Sequence, residues 1–229
     1  MVSTETENDV TTEQDEPKQQ RGIKAAVIPA WVTVDVRGIA PGLLMDKLTD
    51  TAIGGGKLNL DEAFEAAKYL LKPKRPARPG GPKCTYGIPA DGLKSCLVDA
   101  GRIAQSIHKD TFSMVKIRGG VFVANGGPDG YLPIEDTGLI SIKRRIRTQD
   151  NKSAVEKKSP ILKAGWQCRF VLRYNAAIYN QDHIIQLVNA AGFGVGLGGW
   201  APRSQCGGSY GCFEIVNAFA EIEDGEHSE

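Results

Sequence analysis

The fold is decided by residues 166–216, WQCRFVLRYNAAIYNQDHIIQLVNAAGFGVGLGGWAPRSQCGGSYGCFEIV. In 166–174, apolar side chains such as Phe170 alternate with Arg169 and Arg173, and this period of two predicts a half-buried strand. Asn180 can cap a following helix, whose buried stripe repeats at helical spacing through Ile184, Ile185, Leu187, Val188 and Ala191. A glycine-rich loop and a strand at 212–216 come next. Strand, helix, loop and strand make half of a ferredoxin-like sheet or a βαβ unit.

Working outward, the rest of the body predicts further strands and helices. The predicted strands are 23–36, with a break or bulge at Pro29, then 115–117, 121–123 and 139–142. The predicted helices are 61–71 and 90–107. The fold class is therefore α+β, an antiparallel sheet with helices on one face and basic loop insertions.

Two segments are too basic and polar to enter a core. Residues 72–83 contain five bases, four prolines and no acid, which predicts an exposed loop. Residues 143–163 are rich in bases and contain two acids, Asp150 and Glu156. Their cations, as candidate contacts for phosphate, are Lys72, Lys74, Arg75, Arg78, Lys83, Lys143, Arg144, Arg145, Arg147, Lys152, Lys157 and Lys158.

The near-neutral charge of the 229-residue chain, +1, hides a strong division along the sequence. Residues 1–20 carry a net charge of −5, residues 21–220 carry +11, and residues 221–229 carry −5. We expect one α+β domain at 21–220 between a disordered acidic tail and a second acidic tail. The tails are either solvated ends or mimics that occupy a polyanion groove, and the sequence leaves both interpretations open.

The glycine-rich loop resembles a phosphate cradle, but it follows a helix and precedes a strand. This order is opposite to that of dinucleotide and P-loop motifs, in which the glycines precede a helix. Such a loop lets two backbone segments approach closely and offers N–H groups to an anion. Arg203 supplies charge beside it, and the loop residues of interest are Gly192, Gly194, Gly196, Gly198, Gly199, Trp200 and Tyr210. The alternative is that Gly192 caps the helix and Trp200 belongs to the core.

Catalytic, metal and membrane signals are weak. The five cysteines, at irregular spacing, fit a reducing cytoplasm, and Cys206 with Cys212 lacks the second ligand pair of a zinc site. Two carboxylate pairs, Asp35 with Asp46 and Glu135 with Asp136, have no accompanying base. No window is apolar over ~18 residues, the length that spans a bilayer. We therefore expect no enzymatic activity, no cofactor, no metal and no membrane.

Two resemblances complete the sequence evidence. A helix ending in Ala191-Gly192, the alternating glycines with Arg203 downstream, and the last strand resemble the C-terminal loop of the RAMP superfamily, RNA-recognition-like subunits of CRISPR effector complexes. That resemblance implies an RNA-recognition-like fold that grips single-stranded nucleic acid, often in a filament, with an inserted basic hairpin or thumb. It also implies a histidine in the RNA-processing members, but His108 and His183 have no paired base or nucleophile, so nuclease activity is not transferred.

The overall layout resembles uncharacterised phage and prophage proteins. The shared positions are Leu43-Leu44-Met45, Ile88-Pro89-Ala90, Gly196, Gly198, Trp200, Pro202, Gly211 and Phe213. This second resemblance implies a bacterial or phage-infected host cell and no known activity. It keeps open the alternative of a phage structural or assembly protein with no nucleic-acid role.

The favoured hypothesis is a sequence-tolerant binder of single-stranded RNA or DNA, which works as a homo-oligomer or as a subunit of a larger complex.

Overall fold

The computed structural model describes residues 27–47, 59–107, 109, 111–147, 154–204 and 207–221. Ten strands are found there: β1 Pro29–Gly38, β2 Leu43–Leu44, β3 Leu70–Pro76, β4 Lys83–Pro89, β5 Val121–Val123, β6 Tyr131–Glu135, β7 Leu139–Arg147, β8 Ala154–Leu162, β9 Gln167–Asn175 and β10 Phe213–Glu221. The helices of this part of the chain are α1 Leu60–Ala66, α2 Ala90–Gln105, α3 Met114–Gly120 and α4 Gln181–Gly194.

The main sheet has seven strands in the order β10-β1-β9-β6-β4-β3, with β5 paired to β9. Each pairing in it is antiparallel. In the central order β10-β1-β9-β6, helix α2 lies between β1 and β6 along the chain and α4 lies between β9 and β10. This is the ferredoxin-like β-α-β-β-α-β arrangement, so the predicted α+β class with an antiparallel sheet is confirmed.

The core lies between this sheet and helices α2 and α4. Along β9, Cys168, Phe170 and Leu172 are buried at every second position, as the alternation predicts. Trp166 is fully buried and packs against Gly38, where a Cβ atom would lie 1.9 Å from the indole Nε1. Because no larger residue fits there, Gly38 fixes where the end of β1 meets the start of β9.

The basic segment 143–163 is not a loop. Strands β7 and β8 form an antiparallel hairpin in register from Leu139 with Leu162 to Arg147 with Ala154, and β2 pairs with the outer side of β8. The hairpin is anchored at one end, because residues 159–162 of β8 are buried, whereas residues 156–158 of β8 and the bases at 143–145 of β7 are half-buried or exposed. The prediction of a basic loop insertion is wrong here, since residues 139–147 and 154–162 form a hairpin.

The segment 72–83 also forms strands at both ends, contrary to the predicted loop. Strand β3 pairs with β4 through Arg75 opposite Cys84 and Pro76 opposite Lys83. Strand β3 is the last strand of the sheet, so its prolines need no ladder hydrogen bond on the outer side.

Three other boundaries differ from the predictions. Residues 115–117 lie in helix α3, because the Ser113 side chain accepts a hydrogen bond from the Lys116 N–H and caps the helix, with Val115 left exposed. Helix α1 ends at Ala66, because Leu70 and Leu71 begin β3. The bulge in β1 lies between Asp35 and Val36 rather than at Pro29.

Several predictions concern residues outside the described ranges. These are the disordered tail 1–20, residues 222–229 of the C-terminal tail, His108, Lys152 and Cys206. Within the described ranges, no helix is long and apolar enough to cross a membrane.

Candidate nucleic-acid interface

The glycine-rich loop packs its backbone directly onto strand β2. Gly198 has a φ of +73°, and a Cβ atom there would lie 2.3 Å from the Leu44 carbonyl oxygen. The Gly199 N–H donates to the same carbonyl at 2.9 Å, and the Gly211 N–H donates to the Gly42 carbonyl at 2.7 Å. These glycines allow a close approach of two backbone segments. The hydrogen bonds also occupy the Gly199 and Gly211 N–H groups, so these two are not offered to an anion.

The first two glycines of the loop belong to helix α4. Gly192 lies inside the helix, where a Cβ atom would meet the Phe213 carbonyl oxygen at 2.1 Å, and Gly194 is the last helical residue. The C-cap is Val195, so the alternative in which Gly192 caps the helix is wrong. Both glycines let α4 lie close to its neighbours, β10 at Gly192 and Ile103 of α2 at Gly194.

A cleft of about 300 Å³, here called the central cleft, opens beside this loop. Its lining comes from four parts of the chain: Leu43, Asp46, Tyr69, Ile88, Pro89, Gly92, Leu197, Gly198, Gly199 and Arg203. Helix α2 begins there, and its N-cap residue Pro89 makes no side-chain cap hydrogen bond. The positive end of the dipole of α2 therefore faces the cleft.

Charged and aromatic side chains line the central cleft. The Arg203 Nη1 atom lies 3.2 Å from both Ser95 Oγ and Asp99 Oδ2, which hold the guanidinium beside α2. Asp46 pairs with Lys157 of β8. Burial raises the pKa of the Tyr69 hydroxyl, which keeps this ring neutral at physiological pH.

A second cleft, here called the side cleft, lies on the other side of residues 46–47 and 68–70 and has a volume of about 430 Å³. Its lining includes three lysines, Lys47, Lys68 and Lys72, two acids, Glu65 and Asp129, and Tyr131. Lys68 pairs with Glu65 at 2.6 Å and Asp129 pairs with Arg75, so the exposed lysines of this cleft are Lys47 and Lys72. The Tyr131 ring lies 6.1 Å from the Tyr69 ring, centroid to centroid, and Lys47 Nζ lies 5.9 Å from the Tyr131 centroid. Two tyrosines thus stand between the two clefts, with lysines on one side and Arg203 on the other.

In the first basic hairpin, β3–β4, three cations are exposed to solvent. Lys72, Lys74 and Lys83 are exposed and form no ion pair with the described residues. Its two arginines form ion pairs with acids near the two ends of β6. Arg75 pairs with Asp129 at 2.7 Å, and Arg78 holds Glu135 with two hydrogen bonds of 2.8 and 2.7 Å.

In the second basic hairpin, β7–β8, the lysines form ion pairs with acids of the protein itself. Lys158 pairs with Asp61 at 2.6 Å, Lys143 lies 3.6 Å from Glu156, and Lys157 pairs with Asp46. The Arg144 guanidinium lies 4.4 Å from the Trp200 ring centroid, and its Nη2 donates to Ser159 Oγ at 2.7 Å. Arg145 is exposed. Arg147 is the last residue of β7, and its side chain is not among those that the structure describes.

The glycine-rich loop and Arg203 thus line the central cleft, Lys157 of the second hairpin pairs with Asp46 of that cleft, and Lys72 of the first hairpin lines the side cleft. The loop aromatics Trp200 and Tyr210 are in neither lining. Trp200 is half-buried under Arg144, and Tyr210 is half-buried, with its N–H donating to the Trp200 carbonyl. Sequence reasoning missed Lys47 and Tyr69. Tyr69 looked like one more apolar residue of a helix, and the signal for its role was the Lys68-Tyr69 dipeptide immediately before the basic segment.

Three of the four candidate carboxylates form ion pairs with basic side chains. Arg169 binds Asp35 with two hydrogen bonds of 2.6 and 2.7 Å, Asp46 pairs with Lys157, and Glu135 pairs with Arg78. The Asp136 carboxylate accepts the Gly138 N–H in a turn. Among the described residues, no group of three or more His, Cys, Asp or Glu side chains is placed to hold a metal ion.

Comparisons with known proteins give similarities to solved structures but no family. No family model and no curated protein matches the chain. The chain is similar to a chain in the cryo-EM structure of the type III-B Cmr-beta bound to cognate target RNA, with 13% identity and a TM-score of 0.45. The match covers 84% of this chain and 60% of that one.

Proposed function

We propose that this protein binds single-stranded nucleic acid in the central and side clefts, with little preference for sequence. The observation that carries the proposal is the convergence on these clefts of a helix N-terminus, Arg203, two tyrosine rings and exposed lysines. Cations beside a groove hold the phosphates of a strand, and tyrosine rings stack on bases of any identity. Contacts to phosphate and stacking on a ring do not depend on base identity, so we expect the binding to tolerate many sequences.

The size of the two clefts favours a single strand over a duplex. The clefts have volumes of about 300 and 430 Å³, the scale of a few nucleotide units rather than of a duplex. Tyr69 and Tyr131 also present rings, which only unpaired bases can cover with a face. We further propose that the protein acts as a homo-oligomer or as a subunit of a larger complex in a cytoplasm. The chain's exposed apolar side chains on the helices support that step.

Fluorescence anisotropy with labelled RNA and DNA oligonucleotides of about 16 nucleotides tests the binding. We expect affinity to fall with salt by a slope of about 0.7 in log K for each phosphate neutralised. Arg203→Gln should lower the affinity at low salt and reduce the slope by less than the ~0.7 of a full phosphate contact, because Asp99 already neutralises part of the Arg203 charge. The matched control is Arg37→Gln, because Arg37 is also a surface arginine in a single ion pair, with Glu214, and it lies outside the clefts.

A salt-independent affinity, or an equal loss in the Arg203→Gln and Arg37→Gln variants, would contradict binding in the central cleft. Preparations of the wild-type protein give a second readout. Nucleic acid that co-purifies, raises the ratio of absorbance at nucleic-acid and protein wavelengths and disappears on nuclease treatment supports the proposal.

One observation favours a second function, that of a structural or assembly protein. Phe193 of α4 is 84% exposed, and Val115 and Ile107 are 78% and 69% exposed, which is typical of a surface that contacts another protein. Light scattering after size exclusion, with and without the oligonucleotide, separates the two functions. Ordered oligomers whose mass and composition ignore the oligonucleotide favour assembly.

A further inference from the structure

The face of the main sheet opposite α2 and α4 carries a row of large side chains at the end where β1 begins. Trp31 of β1 is opposite Arg173 of β9, and Arg173 is opposite Phe122 of β5. Directly opposite residues of antiparallel strands project from the same face. Phe219 of β10 is opposite Thr33, two residues beyond Trp31 on the same face. We call Trp31, Phe122, Arg173 and Phe219 the aromatic row.

The aromatic row is on the outer face because its neighbours are in the core. Leu172 and Tyr174 flank Arg173 and are buried against the helices, and Val32 flanks Trp31 in the same way. Phe122 and Phe219 are 40% and 50% exposed. Phe122 and Phe219 lie on β5 and β10, with β9 and β1 between them, and Trp31 of β1 is half-buried. Exposed aromatic rings lose hydrophobic stabilisation that a ligand on this face would restore.

The charges of this face make Arg173 available. The acids Asp35 and Glu214 are held by Arg169 and Arg37, each at 2.6 Å. Arg173 is exposed and forms no ion pair with any side chain that the structure describes, a set that leaves out the side chain of Glu221, the residue opposite Trp31 on β10. The Arg173 guanidinium lies 5.4 Å and Lys94 Nζ lies 4.7 Å from the Phe122 ring centroid, so the row combines flat rings with two basic side chains at the Phe122 end.

We propose that the aromatic row is a second contact for single-stranded nucleic acid, in which unpaired bases stack on Phe122, Trp31 and Phe219 and a phosphate binds Arg173. Flat rings on neighbouring strands of a sheet suit successive bases, and a guanidinium between them suits the connecting phosphate. A purely apolar protein partner would leave Arg173 without a counter-charge. The inference rests on the proposed function and extends it to a part of the sheet outside the two clefts.

The test is the affinity of the full chain for the same labelled RNA oligonucleotide. Phe122→Ser with Phe219→Ser should lower the affinity by about fivefold or more for each ring removed, without a change in the salt slope. Phe193→Ser is the matched control, because it removes an exposed phenyl ring from α4 instead. Arg173→Gln should lower the salt slope by about 0.7. Circular dichroism melts confirm that each variant is folded.

The outcomes separate this inference from the proposed function. If Arg203→Gln weakens binding and the Phe122/Phe219 variant binds like wild type, the aromatic row is overturned and the clefts stand. If the wild type binds no oligonucleotide, both fail. If the Phe122/Phe219 variant binds like wild type but changes its mass in light scattering, the row contacts protein and the inference is wrong. Ultraviolet cross-links of bound RNA to the peptide that contains Phe122 would support it independently.

Discussion

The two basic hairpins have similar compositions and opposite uses of charge. In β3–β4, the arginines bind Asp129 and Glu135 of the neighbouring sheet region, and Lys72, Lys74 and Lys83 stay exposed. In β7–β8, the lysines pair with acids from the hairpin itself and from residues 46 and 61. The number of bases in a segment therefore does not give the charge available to a polyanion. What counts is whether an acid lies within reach of each base in the fold.

The difference follows from where each hairpin sits. Strand β3 is the edge of the main sheet, so the side chains of Lys72 and Lys74 have no strand on their outer side. Strand β8 is the centre of a three-stranded sheet, and α1 packs on it, which places Asp61 at Lys158 and the Phe64 ring 5.0 Å from the same ammonium. A central strand meets partners that an edge strand does not meet.

The largest effect should come from removing the exposed lysines of the first hairpin. We expect Lys72→Ala with Lys74→Ala and Lys83→Ala to lower oligonucleotide affinity more than tenfold at low salt and to reduce the salt slope by about 2. The comparison variant, Lys143→Ala with Lys157→Ala and Lys158→Ala, removes the same charge from ion pairs, so it should change the slope less. Anisotropy titrations at several salt concentrations measure both.

A control with the same logic is Lys109→Ala with Lys163→Ala, two exposed lysines that lie outside both the β3–β4 hairpin and the two clefts. It reports the effect of net charge alone. Equal slopes for the two triple variants would contradict the division between free and paired cations.

A smaller effect, of opposite sign, should follow from freeing a paired cation. Asp61→Asn removes the partner of Lys158 and leaves the second hairpin with an exposed charge like those of the first. We expect a few-fold tighter binding at low salt, with a difference that disappears at high salt because screening removes it. Denaturant unfolding should show little loss of stability, because the pair is at the surface and solvent screens it.

The matched control for Asp61→Asn is Glu62→Gln, which removes an adjacent exposed acid that forms no ion pair with the described residues. If both variants tighten binding equally, net charge explains the effect and Lys158 has no part in it.

Secondary structure could be predicted from the sequence where a periodic pattern of apolar residues was long. The alternation at 166–174 and the stripe of α4 predicted a strand and a helix that the structure contains, and with them the ferredoxin-like half of the sheet. The basic segments were mispredicted because prolines and charges argue against a buried strand. They do not argue against an edge strand such as β3 or against a hairpin such as β7–β8, in which only one end, residues 159–162, is buried.

The candidate site was predictable only as a list of cations. Which bases are neutralised depends on pairs far apart in the chain, such as Lys157 with Asp46, whose separation of 111 residues leaves no local signal. The glycines of the loop were recognised, but their partner Leu44 became visible only when β2 was placed beside them. The aromatic row depends on strand order, because only the pairing register of β10, β1, β9 and β5 brings Trp31, Phe122 and Phe219 to one end of the same sheet face.

The smallest expected effect is a difference in acid titration between the two hairpins. The hydrogen bond from Arg75 holds the pKa of Asp129 below its ordinary value of 3.8, and the hydrogen bond from Lys158 lowers the pKa of Asp61. A carboxylate with a depressed pKa stabilises the folded state above its unfolded pKa, and this stabilisation is lost as the pH falls through the folded pKa. Both contributions should therefore be complete at neutral pH and decline below about pH 4.

The side chains of Arg75 and Asp129 are 21% and 16% exposed, whereas that of Asp61 is 76% exposed, so salt should screen the second pair more. Carboxyl carbon NMR titrations at low and moderate salt measure both pKa values. We expect moderate salt to return the pKa of Asp61 towards 3.8 and to leave that of Asp129 depressed. An equal response of the two carboxylates to salt would mean that the buried pair of the first hairpin is as open to solvent as the surface pair of the second, and the contrast between the hairpins would then be confined to their lysines.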